Sequence, residues 1–318
     1  MSLLRTGILC AAACGALLAQ QGAVGGPVTG YVFDAYSKVL RPIRGIPGAA
    51  VFGTPLDLGL PTASAWISPK SDSALTIAVD GAVHLFRLDN GQSSELKPEG
   101  LVAPERAVYS PSGSALALVT PGSVRIYAGL PDAPAVTGTV DLPVGPVPAA
   151  GGVARGKLPR PGGGPVAVSD DGKYLLYGNG ESVELIGVAG DSRRLGSAAS
   201  GAFLAFAPGS HDAAVIDSQK LSLFQDAAGA ATVRTFPGVT GLRGAAFSPD
   251  AKRLYLAAAS LAALDTASGQ SAPIACDCRV TGLARMGSAF RLNDLGSGPL
   301  WLLDASAEPR TVFVPAAQ

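Results

Sequence analysis

Short apolar runs separated by tight-turn residues recur along the chain. Each unit is an apolar run ending in a Ser-Pro or Asp-Gly type turn, a second run, a turn of a few residues, and a third run. The pattern begins at Trp66-Ile67-Ser68-Pro69. It returns at Val108-Tyr109-Ser110-Pro111, Ala167-Val168-Ser169-Asp170-Asp171-Gly172, Ala205-Phe206-Ala207-Pro208 and Ala246-Phe247-Ser248-Pro249-Asp250. The residues closing the first runs, Ser68, Ser110, Ser169, Ala207 and Ser248, are 42, 59, 38 and 41 positions apart. A sixth unit, with its turn signature decayed, follows around Met286-Gly287. Repeats of roughly 40–45 residues point to the blades of a β-propeller.

The pattern inside a unit assigns the strands. Ala63–Ile67, Glu105–Tyr109, Ala202–Phe206 and Arg243–Phe247 are mostly apolar or small on both faces, as a doubly buried innermost strand must be. Second strands follow at Leu75–Val79, Leu116–Val119, Tyr174–Tyr177 and Leu254–Leu256. Third strands at Val83–Phe86, Val124–Tyr127, Val183–Ile186, Leu221–Phe224 and Leu300–Leu303 alternate, as half-exposed strands do. Many end in Asp before a Gly-containing turn, such as Asp89-Asn90-Gly91, which leads to an outer strand. Ahead of these units, Gly30–Ala35 reads as a third strand with its turn and Val39–Ile43 as an outer strand. Ile46–Leu60 then has room for more, giving an irregular seventh unit. Residues 28 to 314 divided by seven give 41 each. The expected fold is therefore all-β, a single propeller of seven four-stranded blades, with six as the alternative. A β-sandwich also has short, evenly spaced strands, but does not repeat one turn signature every 40 residues or so.

Phe247-Ser248-Pro249-Asp250-Ala251-Lys252-Arg253-Leu254 and Val168–Leu175 resemble the FSPDGKRL segments of WD40-like (TolB-type) and YVTN-type bacterial propellers. Tyr31-Val32-Phe33-Asp34-Ala35 and Leu300–Ala305 resemble their third strands. The resemblance covers most of the chain and implies an exported β-propeller. It names no activity. The Trp-Asp and Gly-His pairs of eukaryotic WD40 repeats are absent, so their structural tetrad does not carry over.

Charge narrows the partners. Basic and acidic residues balance at 24 each, so nothing in the net charge draws the chain to nucleic acid or an anionic membrane. Residues 1–19 read as a signal peptide, with Arg5 ahead of the apolar Gly7–Leu18 and a cleavage site before Gln20. About a dozen apolar residues are too few to span a bilayer. Residues 20–27 would then be a short linker, 28–314 the propeller and 315–318 a tail. The expected location is periplasmic or extracellular. Lipid anchoring at Cys14 is a minor alternative, because Ala11-Ala12-Ala13 is a poor lipobox.

Candidate chemistry is sparse. His84 lies in a third strand and His211 in a turn, and nothing requires them to meet. Gly151 to Lys157 imitates the start of a phosphate-binding loop, but Leu158 stands where a magnesium-binding hydroxyl belongs, and Pro159 and Pro161 block the helix. Channel-facing positions are mostly Ala, Gly, Val and Phe, so no metal site and no cofactor is expected. Cys276-Asp277-Cys278 is the sharpest local feature. A disulfide, two free thiols and a soft-metal or redox site are all open, and export favours pairing. Arg44, Arg106, Arg243 and Arg285 lie near inner-strand starts and are a candidate anion-binding rim, the alternative being ordinary solvated arginines. The long interval between repeats holds Pro131–Pro165, a Pro/Gly-rich insertion carrying Arg155, Lys157 and Arg160.

The expected function is a non-enzymatic binding scaffold for a protein, peptide or glycan. The alternative is a propeller-type hydrolase or lactonase with its site at the central channel. Converging carboxylates and histidines at one mouth would distinguish the two.

Overall fold

The computed structural model describes residues 26–142, 164–199, 201–296 and 298–316. Seven antiparallel sheets are arranged as a seven-bladed β-propeller, and the described residues contain no helix. Six blades have four strands, and the first has three. The inner strands are Val28–Asp34, Thr62–Ile67, Arg106–Tyr109, Val166–Val168, Phe203–Phe206, Gly244–Phe247 and Ala284–Met286, in blades 1 to 7. Each touches the next, and the first touches the last, which closes the ring.

Successive side chains of a strand point to opposite faces of its sheet. In a ring of blades those faces are the two neighbouring seams. Leu175 thus packs toward blade 3, with Ile126 and Val124, while adjacent Leu176 packs toward blade 5, with Phe206 and Val215. One hydrophobic cluster fills each of the seven seams. The apolar content of the chain is spent here, on seven thin cores.

The repeated serine has a structural job. Ser110, Ser169 and Ser248 end the first run of their units and are buried. Their hydroxyls accept the backbone N–H five residues on, from Ala115, Tyr174 and Arg253, at 2.9–3.0 Å. Ser169 and Ser248 also donate to the turn carboxylates of Asp171 and Asp250, at 2.7 and 2.6 Å. The hydroxyl therefore fills both roles and pins a tight turn. Gly172 and Ala251 sit at its left-handed position, with φ of 66° and 59°, which costs only the alanine strain.

These turns make stability acid-sensitive. The bond from Ser248 holds the Asp250 carboxyl below the usual aspartate range. At Asp171 burial works the other way, but bonds from Ser169, the Lys173 amide and His211 outweigh it. A lowered folded-state value means the stabilisation is present above the unfolded value of about 3.9 and is lost as pH falls through the folded one. Melting temperature is expected to fall most steeply below about pH 4, and Asp250→Asn should flatten that limb. An unchanged profile would refute the assignment.

The first blade departs from the expectation. Val28–Asp34 is its inner strand rather than a third strand, and Val39–Arg44 its second rather than its outer strand. The third, Val51–Phe52, is two residues long. The physical reason is that, among the described residues, no strand is exchanged between the first and last blades. Each sheet is contiguous in sequence, so blade 1 starts afresh from the axis. Side chains alone close the ring there: Val32, Ile43 and Ala50 of blade 1 against Met286, Leu300, Leu302 and Val314 of blade 7.

Part of the segment read as an insertion is blade. Ala135–Asp141 forms the outer strand of blade 3, paired with Ser123–Ala128. Residues 143–163, with Arg155, Lys157 and Arg160, lie outside the described residues, as do residues 1–25 with the signal-peptide and Cys14 readings. No helix among the described residues is long and apolar enough to cross a membrane.

Candidate functional site

The inner strands surround a central cavity of about 500 Å³. Its wall carries Trp66, Tyr109, Phe206 and Phe247 among small residues such as Ala65, Ala107, Ala205 and Ala246. Small side chains are needed where seven strands converge, and the space they leave is the cavity. The Tyr109 hydroxyl is buried, and burial pushes this phenol above its ordinary range, so it stays protonated.

Two charged residues line the cavity, Arg285 and Arg291, and its described lining holds no histidine or carboxylate. Both come from blade 7, the blade whose turn signature has decayed. Arg285 lies in the inner strand Ala284–Met286 and Arg291 ends the second strand, Ala289–Arg291. Arg285 donates from Nε to the Gly287 carbonyl at 3.1 Å and from Nη1 to the Pro111 carbonyl at 2.9 Å. Pro111 belongs to blade 3, so this side chain reaches across the mouth at which the inner strands end. The Gly287 amide donates to the Pro69 carbonyl of blade 2 at 2.7 Å. The blade 7 hairpin thus leans over the Ser-Pro mouth. Arg291 pairs through Nη2 with Asp294 at 3.1 Å. Burial lowers the pKa of both guanidiniums, opposed by Asp170 at Arg285 and by Asp294 at Arg291.

The same mouth carries a second clasp. Asp170 of blade 4 accepts the Ser112 amide of blade 3 and the Gly209 amide of blade 5, one on each carboxylate oxygen, both at 2.7 Å. Its own carbonyl accepts the Ser114 hydroxyl at 2.6 Å. One turn aspartate therefore ties three blades together.

Of the four arginines expected to form a rim, the structure brings only Arg285 to the cavity wall. Arg106 and Arg243 stand at the opposite ends of the inner strands and staple neighbouring blades. Arg106 donates to the Gly164 carbonyl and Arg243 to the Val280 carbonyl, each at 2.7 Å. Arg44 ends the second strand of blade 1 and lies against Gly53 and Gly91. Both acceptors lie in the connections leading into the next inner strands, Val166–Val168 and Ala284–Met286. Arg291 was not among the candidates. Its signal was an arginine inside an apolar run, Phe290-Arg291-Leu292.

The histidines stay apart from the cavity and from each other. His84 of blade 2 meets Glu95 at 2.6 Å, and His211 of blade 5 meets Asp171 at 3.2 Å beside Tyr174. No group of three or more His, Cys, Asp or Glu suited to a metal occurs among the described residues. Cys276 and Cys278 lie in the connection from blade 6 to blade 7 with Cα atoms 5.1 Å apart, inside the span a disulfide needs.

No protein-family model matches the chain, and no curated protein matches it significantly. Solved structures do. A functionally unknown protein from Desulfotomaculum acetoxidans aligns with TM-score 0.56 at 12% identity, over 91% of this chain and 100% of its own. A provisionally assigned 6-phosphogluconolactonase from Bacteroides fragilis gives 0.57 at 16% identity, over 91% and 94%. Another from Bacteroides uniformis gives 0.55 at 16%, over 90% and 95%. At such identities the likeness is one of fold, and a propeller scaffold hosts many chemistries.

Proposed function

We propose that the protein is an exported binding module that holds part of a protein or peptide partner in its central channel. The observation that carries this is the wall of the cavity: aromatic and small apolar side chains with two arginines. Cavities of about 300–1,000 Å³ with apolar walls and a few placed polar groups are the usual form of a binding site. The lactonase reading has support from the Bacteroides neighbours. It needs a general base or a metal-binding donor set, and the described lining supplies neither histidine nor carboxylate. The motif resemblance to WD40-like and YVTN-type propellers agrees with a scaffold role, as does a paired Cys276 and Cys278 with export.

The test compares the natural chain with Ala205→Trp, which fills the channel. The natural protein should retain a partner from the cell envelope that the variant does not, and should leave gluconolactone hydrolysis at the background rate. Turnover above background, abolished by the filled channel, would overturn the proposal in favour of the lactonase. On protein lacking residues 1–19, thiol titration without reductant should read zero, and two free thiols would refute the pairing.

A further inference from the structure

Cys276 and Cys278 stand with their Sγ atoms in contact, two positions apart in the chain. A cross-link stabilises chiefly by confining the unfolded chain, and does so more for longer loops. A bond across one intervening residue is therefore at the weak end of that effect.

The fold holds this connection without it. On one side the Thr311 hydroxyl donates to the Ala275 carbonyl at 3.1 Å. On the other, Arg243 donates to the Val280 carbonyl at 2.7 Å, and the Thr281 and Gly282 amides donate to the Leu292 carbonyl at 2.9 and 3.2 Å. Between these anchors, residues 276–279 make no hydrogen bond among the described residues. Both cysteines are half-buried, and Asp277 and Arg279 beside them are exposed. The sulfurs thus lie at the surface, in a segment whose shape can change without breaking a blade.

An apolar surface adjoins the pair. Thr311 and Phe313 are two positions apart on the last strand, Arg310–Val314, and so share a face. Phe313 is half-exposed and packs on Trp301, with ring centroids 5.5 Å apart. Trp301 packs against the same seam cluster as Cys276 and Cys278. The face that ties down the cysteine loop therefore also presents an aromatic ring to solvent.

With Cys276 paired to Cys278, we infer that the pair is a thiol–disulfide exchange site that oxidises a dithiol in a peptide chain, with Phe313 seating an apolar residue of that chain. A substrate thiolate attacks one sulfur, the Cys276–Cys278 bond breaks, and the other cysteine leaves as a thiolate. The second substrate thiolate then displaces the first cysteine from the mixed disulfide. The substrate ends as a disulfide, and Cys276 and Cys278 end as two thiols, having gained two electrons and two protons. The oxidant is the protein's own bond, so one equivalent is turned over per chain.

The probes are reduced acetyl-Cys-Ala-Phe-Cys-amide and glutathione, each added to oxidised protein lacking residues 1–19, with products read by mass spectrometry. The dithiol peptide should be oxidised one for one, and the melting curve of the reduced protein should match that of the oxidised. Phe313→Ser should slow the peptide about tenfold, the scale of one partly covered ring, and leave the glutathione rate unchanged. Cys278→Ser should abolish oxidation while the variant still folds. A bond that survives excess dithiol, or a marked fall in melting temperature on reduction, would overturn the exchange site in favour of a structural link. Glutathione reacting as fast as the peptide, or Phe313→Ser without effect, would overturn the peptide as substrate. Each of these results leaves the channel reading intact.

Discussion

Replacing Leu302 by alanine is expected to destabilise the protein by about 3 kcal/mol, within the roughly 2–5 kcal/mol range for emptying a buried leucine site. Leu302 is fully buried in the seam where blade 7 meets blade 1. A cavity there has a consequence beyond its transfer cost. Every other seam is spanned by continuous chain, whereas this one joins the two ends of the fold through Val32, Ile43, Ala50, Met286, Leu300, Leu302 and Val314. Weakening it should let the ring open locally. Urea unfolding of Leu302→Ala should therefore show a lower midpoint and also a shallower slope, since slope follows the surface exposed. Leu175→Ala, in the seam between blades 3 and 4, is the control. It should cost a similar amount with an unchanged slope. A loss below about 1 kcal/mol for Leu302→Ala would mean the closure does not depend on this packing.

Removing the side chain of Asp170 is the second large effect. Its carboxylate satisfies two backbone amides in two different blades. Bonds to a charged group are worth about 1.5–3 kcal/mol each, and solvent at this half-buried position reduces that. Asp170→Ala should cost about 2–3 kcal/mol in all. Asp170→Asn keeps one acceptor oxygen and should recover about half. A difference below about 0.5 kcal/mol, typical of an unremarkable surface site, would show that the clasp contributes nothing. Hydrogen exchange at Ser112 and Gly209 gives an independent reading, because both amides lose their acceptor in the alanine variant.

Much of the fold was legible because it is written locally. The Ser-Pro and Asp-Gly turns mark where one strand must reverse into the next. The buried serine makes that mark chemically necessary, since its hydroxyl bonds an amide five residues away. Blade 1 was misread because no Ser-Pro or Asp-Gly turn closes its inner strand, and because Tyr31-Val32-Phe33-Asp34-Ala35 resembles a third strand ending in Asp before a turn. Only contact with blade 7 shows it to be innermost: at Gly30 an added Cβ would fall on the Met286 side chain.

The site was legible in part. The apolar channel followed from the small residues in the first runs, and Arg285 was marked by its place at a strand start. Arg106 and Arg243 share that placement, yet the structure uses them as staples. What separates them is distance to a carbonyl in the next blade, which no spacing within one unit encodes.

By itself, then, the sequence determined the all-β propeller architecture, the repeat length and the strand order of the regular blades, and it favoured seven blades over six. These depend on side-chain periodicity and turn chemistry, which act over a few residues. Tertiary structure decided which arginines face the cavity, how Asp170 clasps three blades and how side chains of the first and last blades close the ring. Those outcomes depend on residues far apart in the chain, such as Arg285 and Pro111, 174 positions apart, which meet only when the ring bends the chain back on itself.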